Sequence, residues 1–192
     1  NCYTQGMKST LVALATGLGK TFVAGTFLRR VLHEKPEANI LILADQRALI
    51  QQFDRAMWKH LPKEISTHIW DGNEIPANNQ GITLATFQKL INAFDKDDEI
   101  GNFEIVIVDE AHNFLGRQIG VDDYVAKLDA FELMAKEGRK YGLSICLATQ
   151  RPRDITEGVL SQMGTLIVHR LTNDRDREVV ERVEGETQAF HL

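Results

Sequence analysis

The sequence contains few cysteines, no long apolar run and no excess of positive charge. Its two cysteines, Cys2 and Cys146, are far apart, so no disulfide framework is indicated and a reducing cytoplasm is the expected compartment. No stretch of about 18 apolar residues occurs, so no membrane-spanning helix is predicted. With 22 basic and 27 acidic residues the net charge is −5, which argues against a globally basic surface and leaves room for a local basic groove.

The bulk composition is that of a globular protein. Hydrophobic residues make up 43% and charged residues 26% of the 192 residues, and this length suits one domain with a substantial core. We therefore expect residues 1–192 to form a single domain, with a charged C-terminal tail, helical in pattern, from about residue 173. The first residue is Asn1 rather than Met, as expected of a processed or excised piece of a longer protein.

Short apolar runs alternate with segments of helical periodicity. The runs are rich in β-branched residues and apolar on both faces, which is typical of buried parallel strands. They cover residues 11–15, 40–44, 82–85, 105–108, 143–148 and 165–168, with helical spacing at 22–33, 46–60 and 125–138. This alternation predicts a doubly wound α/β fold with a parallel sheet.

A glycine-rich segment separates the first apolar run from the first helical segment. Strand, glycine loop, Lys-Thr and helix form the context of a phosphate-binding loop, in which backbone N–H groups and a helix start face a polyphosphate. We predict that Lys20 neutralises the β- and γ-phosphates of ATP and that the Thr21 hydroxyl holds Mg²⁺. The predicted nucleotide-binding residues are Thr16, Gly17, Leu18, Gly19, Lys20, Thr21 and Phe22. Leu14 stands where the strict pattern has glycine, and the alternative is a plain glycine-rich turn.

Two carboxylates follow the fourth apolar run. We predict that Asp109, at the strand tip, binds Mg²⁺, and that Glu110, facing the other way in the pleat, is the general base for the attacking water. Ligands of open parallel sheets bind at the carboxyl ends of the strands, where both motifs are expected. The alternative is a strand that simply ends in polar residues.

Polar residues also end the fifth apolar run, at Thr149 and Gln150. Gln150 is predicted to sense the γ-phosphate or orient the water, and the alternative is an ordinary strand end. Within the same run Cys146 is predicted to be a buried small hydrophobe. Trp58 and Trp70 are predicted to pack in the core or in loops rather than to stack on bases.

Up to about residue 112 these motifs resemble the first motor domain of superfamily 2 helicases, nearest to the DEAH-bearing domain of type I and type III restriction enzymes. The loop at 15–21 is similar to their Ala-Thr-Gly-Thr-Gly-Lys-Thr, and 109–112 to their motif II. Segments 42–52 and 83–88 resemble motif Ia and a Thr-x-Gln segment, which implies nucleic-acid contacts by Gln46, Arg47, Thr86 and Gln88. For His112 the resemblance implies coupling between the ATP site and nucleic acid; the alternative is a hydrogen-bonded residue at a strand end.

From residue 109 to about 185 the chain resembles the HerA–FtsK group of DNA translocases. Segments 109–115, 137–142, 148–152, 159–162 and 168–171 recur there in the same order. This resemblance implies that Gln150 senses the γ-phosphate and that Arg170 lies near nucleotide, in cis or across a subunit interface, with Arg151 as the other candidate finger or sensor.

Together the resemblances imply a RecA-like P-loop fold, a three-layer α/β/α sandwich, and an ATP-binding and ATP-hydrolysing motor with Mg²⁺ as cofactor. DNA is the expected partner and RNA the alternative. A second RecA-like domain or a neighbouring subunit is expected to complete the site. Two other hypotheses remain: a stable scaffold or hybrid with little turnover, joined near residues 109–112, and a subunit of a hexameric HerA-like translocase.

Overall fold

The computed structural model describes residues 9–15, 19–59, 61–71, 81–95, 102–115, 131–132, 135–136, 142–185 and 188–191. The chain divides into two compact units. We call residues 1–18 and 108–192 the β1 unit and residues 19–107 the β2 unit. No helix in the described segments combines the length and the apolar character that a bilayer span requires.

The β2 unit alternates helices and strands. Its elements are α1 (Lys20–Glu34), β2 (Asn39–Ala44), α2 (Arg47–Met57), β3 (Thr67–Trp70), β4 (Gly81–Thr86), α3 (Phe87–Asp95) and β5 (Ile105–Val108), of which Val108 is assigned to the β1 unit. The strand order is β3-β4-β2-β5, and β4 is parallel to both of its neighbours. Strands β2 and β4 are buried along nearly their whole length, as their apolar runs predict.

Gly81 begins β4 in a conformation that side chains rarely adopt. Its φ is 90°, and a Cβ atom there would lie 2.4 Å from the carbonyl oxygen of Ser66. The N–H of Ile82 donates to that same oxygen at 3.0 Å, which fixes the segment before β3 against β4. Glycine is therefore required at this position by both backbone angle and space.

The β1 unit is a second set of parallel strands. Its elements are β1 (Ser9–Leu14), β6 (Ser144–Thr149), α4 (Glu157–Leu160), β7 (Thr165–His169), α5 (Asp174–Glu184) and β8 (Gln188–His191), with 3₁₀ turns at Ala111–Asn113 and Pro152–Asp154. The order is β6-β1-β7-β8, and all three pairings are parallel. Ala13 is in register with Thr149 and Leu14 with His169, so these carboxyl ends lie side by side.

The predicted strands are all present, and each lies within two residues of its predicted bounds. The first two predicted helices are α1 and α2; the third, at 125–138, lies largely outside the described residues, of which 131–132 and 135–136 are helical. The sequence reading missed β3, β8, α3 and α4. Strand β3 was missed because it has four residues of which only Trp70 is buried, and α3 because it follows β4 without a loop.

The charged segment after residue 173 forms the predicted helix, α5, but it is not a solvated tail. Asp176 is only 4% exposed, Val180 is buried, and β8 follows and pairs with β7. The Asp176 carboxylate accepts the backbone N–H of Arg153 at 3.2 Å and lies 3.7 Å from its guanidinium. A run of alternating charges does not reveal which residue is buried, because the partner is more than 20 positions away.

Candidate functional site

The described end of the predicted phosphate-binding loop is the start of α1. Gly19 has φ 85° and ψ 36°, the left-handed region that favours glycine, and it precedes a helix of 15 residues beginning at Lys20. The helix has no side-chain cap and no acidic residue in its first turn. The positive end of its dipole is therefore not countered by a side chain of that turn. Thr16, Gly17 and Leu18 lie outside the described residues.

The other described loop residues follow in the first turn of α1. Lys20 and Thr21 are half-buried, and the side chain of Phe22 is 59% exposed. The first intrahelical hydrogen bond runs from the N–H of Val23 to the carbonyl of Gly19 at 3.0 Å. The Lys-Thr pair thus stands at the very beginning of the helix, where a bound anion meets its N–H groups.

The predicted carboxylates lie in the turn that follows β5. The strand ends at Val108, and Glu110 has φ 52°, a left-handed angle that is uncommon outside glycine. The expected continuing pleat at Glu110 is therefore wrong, because the strand ends at Val108 and the backbone turns at Glu110; the direction of its side chain relative to Asp109 stays a prediction. Buried Ala111 and Leu115 hold the following 3₁₀ turn, through a bond from the N–H of Leu115 to the carbonyl of Ala111 at 2.9 Å.

His112 connects this turn to the end of β6. Its Nδ1 lies 3.0 Å from Oγ1 of Thr149 and 3.6 Å from the Glu110 carboxylate, and its side chain is almost fully buried. Thr149 also accepts the backbone N–H of Arg151 at 3.0 Å. The structure thus brings together the Asp-Glu-Ala-His motif and the Thr149-Gln150 segment within the β1 unit, as predicted from their places at strand ends. The hydrogen-bonded alternative for His112 is present; its coupling role stays a prediction.

The thiol of Cys146 has a pKa above its ordinary value. Burial, and secondarily the negative charge of Asp109, raises the pKa of the Cys146 thiol to about 12. The residue is half-buried rather than fully buried, so the prediction of a buried cysteine holds only in part.

The two candidate arginines and Gln150 stand just beyond the carboxyl ends of strands in the β1 unit. Gln150 and Arg151 follow β6, and Arg170 follows β7 with a φ of 49°. Both arginine side chains are exposed and Gln150 is half-buried. The role of Arg170 or Arg151 as a finger or sensor stays a prediction.

The four nucleic-acid candidates share one edge of the β2 unit. Ala44, the last residue of β2, is in register with Thr86, the last residue of β4. Gln46 and Arg47 follow the first of these strand ends, and Gln88 lies in the first turn of the helix after the second. The structure therefore brings together the two segments predicted to contact nucleic acid.

Most of these candidates already have partners. Arg47 forms an ion pair with Asp71, and Thr86 Oγ1 accepts the N–H of Lys89 at 3.2 Å, which caps α3. The amide of Gln88 donates at 2.8 Å to the side chain one helical turn further along. Binding of a phosphate by Arg47 would therefore compete with Asp71.

The described residues fit ATP and Mg²⁺. The left-handed Gly19, where a side chain would be strained, and an α1 start without acidic residues suit a polyphosphate. The Thr21 hydroxyl is a hard oxygen ligand of the kind that Mg²⁺ prefers, and so, separately, is the Asp109 carboxylate. Lys20 and Thr21 belong to the β2 unit, and Asp109 and Glu110 to the β1 unit.

Comparison with known proteins gives the family. Residues 1–135 match the family described as type III restriction enzyme, res subunit, which is more than half of the chain. The chain belongs to this family. Among its relatives, the DNA double-strand break repair helicase HerA of Pyrococcus furiosus is 40% identical over 79 residues, 40% of this chain and 13% of the relative. A probable HerA of Methanocaldococcus jannaschii is 32% identical over 131 residues, 67% of this chain and 25% of the relative.

The fold is that of known motor domains. The Sulfolobus solfataricus SWI2/SNF2 ATPase core, solved in complex with dsDNA, matches with a TM-score of 0.63 and 13% identity, over 98% of this chain and 41% of that one. A likeness at this identity shows the fold alone, a RecA-like parallel α/β fold, as predicted. Both groups of proteins that the motifs resemble are thus represented, and the chain is a motor domain of the helicase or translocase type, which implies nucleotide use. It spans about an eighth to a quarter of the length of the curated relatives named here.

Sequence reasoning missed two features of these units. The exposed indole of Trp58 contradicts the prediction that it packs in the core or a loop, whereas buried Trp70 confirms its own. The link between Arg153 and Asp176 was also missed. For Trp58 a signal existed, since it stands between cations at 55 and 59 in a helical segment.

Proposed function

We propose that the chain binds and hydrolyses ATP with Mg²⁺ as the motor domain of a DNA helicase or translocase. The observation that carries this proposal is the left-handed Gly19 followed directly by Lys20 and Thr21 at the start of an uncapped helix of 15 residues. Membership of the restriction-enzyme helicase family supports it. RNA in place of DNA is the alternative substrate.

The β2 unit supplies phosphate binding. The backbone N–H groups of residues 16–22, of which 20–22 begin α1, are proposed to bind the phosphate oxygens, and the ammonium of Lys20 to neutralise the β- and γ-phosphates. The Thr21 hydroxyl and the Asp109 carboxylate would hold Mg²⁺, which neutralises charge that develops on the phosphates. Lys20 carries the only charge in the first turn of α1, so its loss would remove most of the local attraction for ATP.

The β1 unit supplies the base. Glu110 accepts a proton from the attacking water as the water oxygen bonds to the γ-phosphorus and ADP leaves with the electron pair of the broken P–O bond. His112 lies 3.6 Å from the Glu110 carboxylate and 3.0 Å from the Thr149 hydroxyl, so it is proposed to position the base. Gln150 orients the water or senses the γ-phosphate.

DNA binding is proposed for the edge of the β2 unit that carries Gln46, Arg47, Thr86 and Gln88. A second RecA-like domain or a neighbouring subunit is proposed to supply an arginine finger, since such fingers raise hydrolysis by about 10³–10⁵ in related systems. The chain by itself is therefore expected to bind ATP and to hydrolyse it slowly.

A second candidate is a hexameric HerA-like translocase subunit. Two observations favour it: relatives named HerA are 32% and 40% identical, and Arg170 is exposed just beyond the end of β7. In such a ring Arg170 or Arg151 would act on the nucleotide of the next subunit.

The deciding experiment measures ATP hydrolysis with and without DNA beside the mass of the particle by sedimentation. DNA-stimulated hydrolysis by a monomer supports the helicase-type domain. Stimulation that appears only with a hexamer, and is lost in Arg170→Ala, supports the ring. A stable monomer with no Mg²⁺-dependent ATP binding and no hydrolysis under any condition overturns both and supports a scaffold.

A further inference from the structure

The end of α2 carries a concentration of positive charge. Residues 55–63, which we call the basic segment, contain Arg55, Lys59 and Lys63, one histidine and no acidic residue, and they are bounded by Asp54 and Glu64. All three cations are exposed. None of them forms an ion pair within the described segments of the chain.

Trp58 stands between these cations and faces solvent. Its side chain is 56% exposed, whereas that of Trp70, the other tryptophan, is 3% exposed. Trp58 keeps helical backbone angles at the C-cap of α2, so Arg55, Trp58 and Lys59, at positions i, i+3 and i+4, lie on one side of the helix end. An indole flanked by two cations is thus displayed outward.

The indole is held in place rather than free to rotate. Its Nε1 donates to the carboxylate of Asp54 at 3.2 Å, and the backbone N–H of Trp58 donates to the Asp54 carbonyl at 3.0 Å. A fixed aromatic side chain loses little conformational entropy when a planar ligand stacks on it.

Helix stability accounts for only part of this arrangement. A cation in the last turn complements the helix dipole, which explains Arg55. It explains neither Lys63, which lies beyond the helix, nor an indole left in water, because burial of an aromatic side chain is favourable.

We propose that the basic segment binds single-stranded nucleic acid, with a base stacked on Trp58 and phosphates bound by Arg55 and Lys59. Stacking on aromatic side chains beside positive charge is how single strands are bound without sequence preference. A duplex keeps its bases paired and offers no face to the indole, and an acidic polypeptide would use the cations but not the ring. The inference rests on the proposed action on nucleic acid.

This surface is separate from the edge that carries Gln46 and Arg47. Helix α2 begins at Arg47 and has 11 residues, so its end lies about 16 Å away at 1.5 Å per residue. The basic segment would therefore hold a part of the strand that the motif at the start of α2 does not reach.

Fluorescence offers a direct test, because Trp70 is buried and Trp58 is the indole that a ligand can reach. Titration with a single-stranded oligothymidylate, without ATP or Mg²⁺, is expected to quench the tryptophan emission of the parent protein. The same titration of Trp58→Phe should show none of this quenching. In an anisotropy assay with labelled oligothymidylate, Trp58→Ala should weaken binding by about fivefold or more. The double variant Arg55→Gln/Lys59→Gln should reduce the slope of log affinity against log salt by about 1.4.

The matched control is Arg29→Gln, which removes an exposed cation of α1. The Arg29→Gln protein should show the same quenching as the parent protein. Its affinity for the oligothymidylate should be at least as high as that of any variant of the basic segment. Equal quenching by a duplex of the same sequence or by polyglutamate, or unchanged affinity in Trp58→Ala, would overturn the proposal. Because the titration contains neither ATP nor Mg²⁺, its result is independent of whether the chain hydrolyses ATP.

Discussion

Nδ1 of His112 lies 3.0 Å from the hydroxyl oxygen of Thr149, and this contact connects the turn after β5 with the end of β6. The same hydroxyl accepts the N–H of Arg151, so one buried group serves both the histidine and the segment that carries Gln150. The Glu110 carboxylate, the proposed base, lies 3.6 Å from the same histidine nitrogen.

Loss of the Thr149 hydroxyl should therefore destabilise the protein. Thr149→Val keeps the shape of the side chain but removes the hydroxyl that contacts Nδ1 of His112 and accepts the N–H of Arg151, so the free energy of unfolding should fall by about 1–3 kcal/mol. Urea unfolding measures this change. Thr149→Ser, which keeps the hydroxyl, should lose less, and equal stability of Thr149→Val and the parent protein would contradict the role of the contact.

Gly81 and Gly142 offer a matched pair for backbone strain. Both have positive φ, 90° and 80°, but an added Cβ meets the Ser66 carbonyl oxygen at 2.4 Å in Gly81 and nothing within 4 Å in Gly142. Gly142→Ala should cost about 1 kcal/mol through the backbone angle alone. Gly81→Ala should cost about 3 kcal/mol or more, because the collision adds to that strain. Similar midpoints for both variants in thermal unfolding would show that the close approach to Ser66 is absent.

These residues mark where sequence reasoning reached its limit. The strands were predictable because each is a short apolar run, and the positions of Lys20, Asp109 and Gln150 followed from their places at the ends of those runs. The direction of the Glu110 side chain could not be predicted in this way, because it depends on a left-handed backbone angle that the residue type does not indicate.

Long-range contacts and the exposure of individual side chains could not be predicted from the sequence either. In the sequence, Asp176 is one of several charged residues in a row. Its carboxylate is buried because it pairs with Arg153, 23 positions earlier. Trp58 and Trp70 are the same residue type with opposite exposure: Trp70 lies in β3, paired with Ala85 of β4, and Trp58 lies at the C-cap of α2. Such properties depend on what the rest of the chain places around a residue.

The Cys146 thiol should be unreactive at mild alkaline pH. Its pKa is raised to about 12 by burial and by Asp109, above the ordinary value near 9.0, so the native protein keeps it protonated. In Cys2→Ser, where Cys146 is the remaining cysteine, a disulfide reagent at about pH 8 should react only on unfolding. Rapid reaction of one thiol in the native protein would contradict the enclosed position.

The same shift gives a direction for stability against pH. The folded state holds the Cys146 proton more tightly than the unfolded chain, so its contribution to stability is complete below the ordinary pKa of 9.0. It is lost as the pH rises from there toward about 12. Cys146→Ala should flatten the alkaline fall in the free energy of unfolding, compared with the parent protein.

Glu110→Gln should separate binding from turnover. The amide keeps the shape of the side chain but cannot accept the proton of the attacking water, so hydrolysis should fall by about 10²–10⁴ while ATP binding remains. Phosphate release measured with DNA present gives the rate. Glu157→Gln, an exposed glutamate of α4 paired with Arg182, is the control and should keep the parental rate.

In the proposed function, ATP binding depends most on Lys20 at the start of α1. Calorimetry of ATP binding with and without Mg²⁺, on the parent protein and on Lys20→Ala, tests it directly, with unfolding curves to show that both proteins are folded. We expect Mg²⁺-dependent binding by the parent protein and a loss of at least about tenfold in affinity in the variant, as removal of a charge-assisted contact requires. No binding by the folded parent protein, or equal binding by the two proteins, would contradict the account.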